Sequence, residues 1–147
     1  MVRVNIINPR YLTDQHLIAE YYEILMLAEY ARKHCKKYSR PILKDIPKHY
    51  CLGKGHMKFF RNKTKYLKTR HDRIRKEMKR RGFDPKIKMN LKGFRSNLLK
   101  SWRPNKQDIK VIQKRLIWKI RKKPTYYRYY GEHKPLKFFV GMVGKAG

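Results

Sequence analysis

The chain has 147 residues, with 40 Lys or Arg against 10 Asp or Glu and a formal net charge of +30. Hydrophobic residues make up 41% and aromatics 13%, enough for a buried core and too many for a disordered basic tail. No apolar run approaches the ~20 residues that span a bilayer, the opening Met1-Val2-Arg3-Val4-Asn5 lacks the apolar stretch of a secretory signal, and Cys35 and Cys51 do not make a disulfide scaffold. The expectation is one domain in a reducing, intracellular setting. Such a charge collects polyanions, nucleic acid foremost and an anionic membrane surface second.

Residues 1–12 alternate apolar and polar and carry Pro9, which reads as an extended arm. Thr13 or Asp14 can cap a helix running from Gln15 to about Lys36. Its apolar stripe is Leu17, Tyr21, Ile24, Ala28 and Ala31. Ser39-Arg40-Pro41 breaks that helix, and residues 41–52 read as a loop. The Gly-rich turn Leu52-Gly53-Lys54-Gly55-His56 leads into a second long helix, about 56–81, with Phe60, Leu67, Ile74 and Met78 at helical spacing. Gly82 suits the left-handed position just past its end. Residues 83–104 are basic and irregular. Asn105 caps a third helix, about 106–122, striped with Ile109, Ile112, Leu116 and Ile120, and Arg115, Lys119 and Lys122 share another face. Pro124 ends it. The tyrosine run 125–131 follows, and residues 132–147 look like an appendage. No strand is evident, so the class is all-α.

The residues admit few chemistries. His34, Cys35, Cys51 and His56 lack the paired spacing of a zinc site. Gly53-x-Gly55 could cradle a phosphate but more simply makes a turn. The tyrosines at 126–130 suit either base stacking or core packing. Most cations suit a phosphate-facing surface. The carboxylates are more telling because they are scarce. Asp14, Glu20, Glu23 and Glu29 all fall in the first helix. At about 100° per residue, Glu23 lies off the apolar stripe beside His16 and Glu20. A carboxylate there weakens phosphate binding, so it serves either an internal cation or catalysis.

Four segments, taken in order, carry a resemblance. Asp14-Gln15-His16-Leu17-Ile18-Ala19-Glu20-Tyr21-x-Glu23 is preceded in register by Met1-x-Arg3-x-Asn5. Leu52-Gly53-x-Gly55-His56-x-x-Phe59-Phe60 and Lys79-Arg80-Arg81-Gly82-Phe83 come next. Arg115-Leu116, Lys119-Ile120 and Pro124-Thr125-Tyr126-Tyr127-Arg128-Tyr129-Tyr130-Gly131 complete the set. Together they resemble the pyrimidine-dimer DNA glycosylases.

The resemblance implies an all-α, compact single domain over residues 1–131, of three main helices with an N-terminal arm threading between them. Residues 132–147 would then be an extension of unassigned role. It implies excision of the 5′ base of a UV-induced cyclobutane pyrimidine dimer, then a nick by β-elimination. The nucleophile would be the α-amine of Val2, exposed when Met1 is removed, and Glu23 the catalytic carboxylate. An α-amine titrates near 7.7–8.0 and Lys near 10.4, so far more of the amine is neutral at pH 7, about a tenth. No metal or organic cofactor is implied.

Arg3, Gln15 and His16 would bind DNA beside the site, and Arg115 and Lys119 would meet phosphates. Tyr126, Tyr127, Arg128 and Tyr129 would contribute to dimer recognition. The implied partner is double-stranded DNA carrying dimers, with undamaged DNA bound non-specifically, by a monomer without a membrane. The family's phage representative has Arg where this chain has Tyr22 and Met26, Trp at Tyr126 and Thr at Val2. Two other readings stay open: a glycosylase/lyase for another damaged base, and a non-catalytic basic nucleic-acid-binding protein.

Overall fold

The computed structural model describes residues 3–37 and 45–146, with side chains in the first stretch up to Lys33. Val2, the Ser39-Arg40-Pro41 break and the side chains of His34 and Cys35 lie outside the described residues. The elements are α1 (Asp14–Lys37), α2 (Gly55–Phe60), α3 (Thr64–Arg80), α4 (Lys106–Lys122), a hairpin of β1 (Arg128–Tyr129) and β2 (Glu132–His133), and α5 (Leu136–Gly144). The class is all-α, as the sequence leads one to expect.

The α1 stripe faces inward: Leu17, Tyr21, Ile24, Ala28 and Ala31 are all buried. Thr13 is the cap, its Oγ1 accepting the His16 N–H at 3.1 Å. Asp14 instead accepts the Tyr130 and Gly131 N–H groups at 3.1 and 2.7 Å and pairs with Arg81 at 3.0 Å. It ties the start of α1 to the distant hairpin.

The single helix expected over 56–81 is two. The chain breaks at Arg61–Lys63, between α2 and α3. The cause is a segment far along the sequence. Lys100 N–H donates to Asn62 O at 3.1 Å, Lys100 O accepts from Tyr66 N–H at 3.3 Å, and Thr64 Oγ1 donates to Leu98 O at 2.6 Å. Backbone groups released by the break are thereby satisfied. The apolar spacing survives it, since Phe60, Leu67, Ile74 and Met78 are all buried.

Gly82 closes α3 at φ +90. Phe83 N–H donates to Met78 O at 2.9 Å and Gly82 N–H to Lys79 O at 3.0 Å, the paired bonds of a Schellman end. Asn105 and Asp108 cap α4 reciprocally, at 2.8 and 2.9 Å.

Two features after α4 differ from the expectation of no strand and of an appendage over residues 132–147. Tyr130 and Gly131 both have positive φ, at 53 and 79, as a two-residue turn of the I′ kind needs. They close a short antiparallel hairpin with Tyr129 opposite Glu132. The last residues are no appendage. Helix α5 packs on α4, burying Phe139 and Val143 in the common core, and Gln113 Nε2 donates to Val143 O at 3.0 Å.

Candidate active site

The arm is held by its backbone. Arg3 N–H donates to Glu23 Oε2 at 3.0 Å, Val4 N–H to His56 Nε2 at 2.8 Å, and Asn5 N–H to Glu20 Oε1 at 3.1 Å. Tyr50 hydroxyl donates to Val4 O at 3.1 Å. Each partner is an acceptor or donor that the arm could not supply itself, and the arm threads between α1 and α2 as a result. Ile6 sits at φ +44, where a β-branched residue is strained, with Ile7 N–H turned back onto Asn5 O. Burial of Ile6 and Ile7 holds that turn.

The clamps come from Glu20 and Glu23, three residues apart on α1, and from His56, aimed by the turn before α2. Gly55 permits the approach: a Cβ there would lie 2.7 Å from Cys51 Sγ and 3.0 Å from Pro47 Cγ. His56 Nδ1 lies 2.9 Å from Cys51 O. With Nε2 accepting from Val4, Nδ1 carries the proton and the ring is neutral, and burial pushes its pKa down to about 4.

The two carboxylates differ. Glu20 is fully buried and pairs with Arg70, Nε to Oε2 at 2.6 Å and Nη2 to Oε1 at 3.1 Å. Arg70 also donates Nη1 to Ile7 O. Glu20 is therefore committed to the fold. Glu23 is half-buried, and its Oε2 accepts the Arg3 N–H. Burial, then the charge of Glu20, raises its pKa, against the pull of the Arg3 N–H.

Glu23 opens into a cavity of about 250 Å³. Arg3, Gln15, His16, Arg115, Lys119, Tyr126 and Tyr127 line it as well, with Asn5, Ala19 and Leu116. Eight of the residues singled out in the sequence thus share one hollow. Asn5, Ala19 and Leu116 were not singled out as site residues. Ala19 lies midway between Gln15 and Glu23 on the same helix face, and that i, i+4, i+8 spacing was a readable signal.

Within the hollow, burial and the charge of Lys119 push His16 down to about 4. Arg3 is also pushed down, by burial first and then by the charge of Arg115. Cations crowd the mouth, as a receptor for an anion requires.

Gln15 brackets the tyrosine run. Its Nε2 donates to Tyr126 O at 3.0 Å, and its Oε1 accepts from Arg128 N–H at 2.9 Å. Tyr127 is a core residue, 6% exposed, with its ring 4.8 Å from His16. Tyr126 is 52% exposed at the cavity mouth. Arg128 and Tyr129 do not line the cavity. Arg128 Nε donates to His133 Nε2 at 3.2 Å, and Tyr129 hydroxyl donates to Arg10 O at 3.0 Å beneath the guanidinium of Arg81. Tyr22 and Met26, one turn apart on the outer face of α1, are exposed. With Ile87 they edge an apolar groove.

A helical domain with a half-buried carboxylate under a cationic, aromatic-edged mouth has the build of an enzyme acting on a polyanion. Residues 1–91 match the family model described as pyrimidine dimer DNA glycosylase. The match spans more than half of the chain, and the chain belongs to that family. Its activity is that of a DNA-repair glycosylase, and its substrate is DNA carrying pyrimidine dimers. Among the described residues, no helix is long and apolar enough to cross a membrane.

Proposed function

We propose that the protein cuts the glycosidic bond of the 5′ base of a cyclobutane pyrimidine dimer and then nicks the strand by β-elimination, with the α-amine of Val2 as nucleophile once Met1 is removed. The hydrogen bond from Arg3 N–H to Glu23 Oε2 at 3.0 Å supports this reading best. Three covalent bonds separate Arg3 N from the nitrogen of the preceding residue, so an amine on Val2 stays within about 4 Å of Arg3 N. Amine and carboxylate then share a small volume beside the cavity.

The neutral amine attacks C1′, and the glycosidic bond breaks with its electron pair and a proton going to the 5′ base, which stays tethered to its 3′ neighbour through the cyclobutane ring. The sugar ring opens to an iminium on the Val2 nitrogen. The iminium acidifies the 2′ proton. Its removal expels the 3′ phosphate with the C3′–O electron pair, leaving an unsaturated imine that water hydrolyses. Glu23, with a pKa raised by burial, can stabilise cationic sugar character and carry a proton at different steps. Arg115 and Lys119 would hold the flanking phosphates, and Arg3 and His16 the sugar side of the lesion. Tyr126 would present a stacking face at the mouth, with Gln15, Tyr127, Arg128 and Tyr129 fixing the loop that carries it.

Borohydride trapping on a dimer-containing duplex tests the reading, with untagged protein shown by mass to begin at Val2. An adduct mapped to Val2, absent with undamaged duplex, is the expected result. An adduct with abasic DNA alone would keep the lyase step and overturn the dimer excision. No adduct with either would overturn the imine mechanism.

A further inference from the structure

We infer that Trp118 is a stacking platform for an unstacked base of the damaged DNA. Trp118 lies on α4 between the cavity-lining Arg115 and Lys119, and it is 46% exposed. The other tryptophan, Trp102, is packed among Tyr50, Phe59, Phe60 and Tyr66 at centroid distances of 5.1–5.8 Å. At about 100° per residue, Trp118 lies beyond the Arg115–Lys119–Lys122 row on the side away from the buried stripe Ile112–Leu116–Ile120. The packing of α4 gives this ring no role.

Its neighbours suggest one. Arg115, Lys122 and Lys119 stand 4.9, 4.2 and 5.8 Å from the ring centroid. Three like charges around one ring repel each other, and a phosphate strand drawn to them relieves that repulsion. As they turn to phosphates, the ring face is left for a flat, polarisable partner. An aromatic set among strand-binding cations is how proteins hold single bases without reading their sequence. Damage that weakens pairing and stacking makes a nearby base the easiest to expose. The occupant is therefore a base at or beside the lesion, delivered to the rim of the cavity that holds Glu23.

The inference rests on the dimer-excision reading, and the test separates the two. Binding of wild type, Trp118→Ala and Trp118→Phe is measured by anisotropy at fixed salt, on dimer-containing and undamaged duplexes. Trp118→Ala should weaken the dimer complex about tenfold and the undamaged complex less than about twofold, and Phe should keep most of the affinity. Wild-type tryptophan emission should be quenched by the dimer duplex, and Trp118→Phe should abolish that quenching. Equal losses on both duplexes, or no loss and no quenching, would overturn the platform. Glycosidic cleavage by wild type, assayed in parallel as alkali-labile strand breakage at the dimer, tests the excision reading alone. If no such breakage occurs, quenching by a duplex with a mismatched base decides whether the platform stands without it.

Discussion

Arg70 and Glu20 form a two-point ion pair beneath the arm, and neither side chain reaches solvent. Glu20 also accepts the Asn5 N–H, and Arg70 also donates to Ile7 O. The pair thus fixes both ends of the strained turn at Ile6 and sets where residue 3 meets Glu23. Removing one partner leaves an unpaired buried charge. Arg70→Met should cost about 3–5 kcal/mol in urea unfolding, and Arg70→Met with Glu20→Leu should recover part of that loss. A cost below about 1 kcal/mol would mean that the pair does not anchor the arm.

Glu23→Gln should bind dimer DNA as tightly as wild type, or more tightly, while the rate of glycosidic cleavage falls by about 10²–10⁴. It should also raise the melting temperature at neutral pH. The folded pKa of Glu23 lies above its unfolded value, so stability is full below the unfolded pKa and is lost as pH rises through the folded one. Gln escapes that loss. The difference in melting temperature between the two proteins should shrink as the pH falls toward about 4.3 and be gone below it. An unchanged rate of glycosidic cleavage would remove Glu23 from the chemistry.

His16, His56 and His71 are all depressed to about 4, chiefly by burial. Their folded pKa values lie below the unfolded value of about 6.5. The stability they contribute is therefore present above that value and is lost as pH falls toward 4. At His56 the reason is visible: a second ring proton on Nε2 would face the Val4 N–H. Urea unfolding between pH 7.5 and 4.5 should show a steady loss of stability. Proton NMR should show these three rings still neutral at pH 5.5, and a ring titrating near 6.5 would contradict the burial argument for that residue.

Tyr22 and Met26 are exposed together on the outer face of α1. Replacing both with Arg should tighten binding to undamaged duplex at low salt. It should also steepen the slope of log K against log salt by about 0.9 for each phosphate gained. Wild type should itself lose affinity steeply as salt rises. A slope unchanged by the two substitutions would place this face of α1 away from DNA.

Phe139 on α5 is 1% exposed within the shared core. Phe139→Ala should destabilise the protein by about 3–5 kcal/mol. If unfolding is barely affected, α5 is an ornament on α4 rather than part of the fold.

The helical stripes were legible because their information is local. Leu17 to Ala31, Phe60 to Met78 and Ile112 to Ile120 repeat at the helical period, and the apolar faces so defined are the ones buried. Asn105 and Gly82 were legible for the same reason, since a capping side chain or a left-handed glycine acts within one turn. The break at Arg61–Lys63 was not, because what satisfies its backbone comes from residues 98–100. The closing helix was misread because its apolar face makes sense only once α4 lies against it.

Charge and helical period determined an all-α, strongly cationic chain, and the family resemblance that runs through Arg3, Gln15, His16 and Glu23 brought most of the candidate site within reach of the sequence. Only the tertiary structure decided what surrounds each carboxylate. By helical spacing alone, Glu20 and Glu23 lie on the same helix face. Arg70, 50 residues beyond Glu20, closes on one of them and leaves the other facing the cavity. A carboxylate's role is set by the charges and the solvent around it, and those come from chain segments that meet only when the molecule folds.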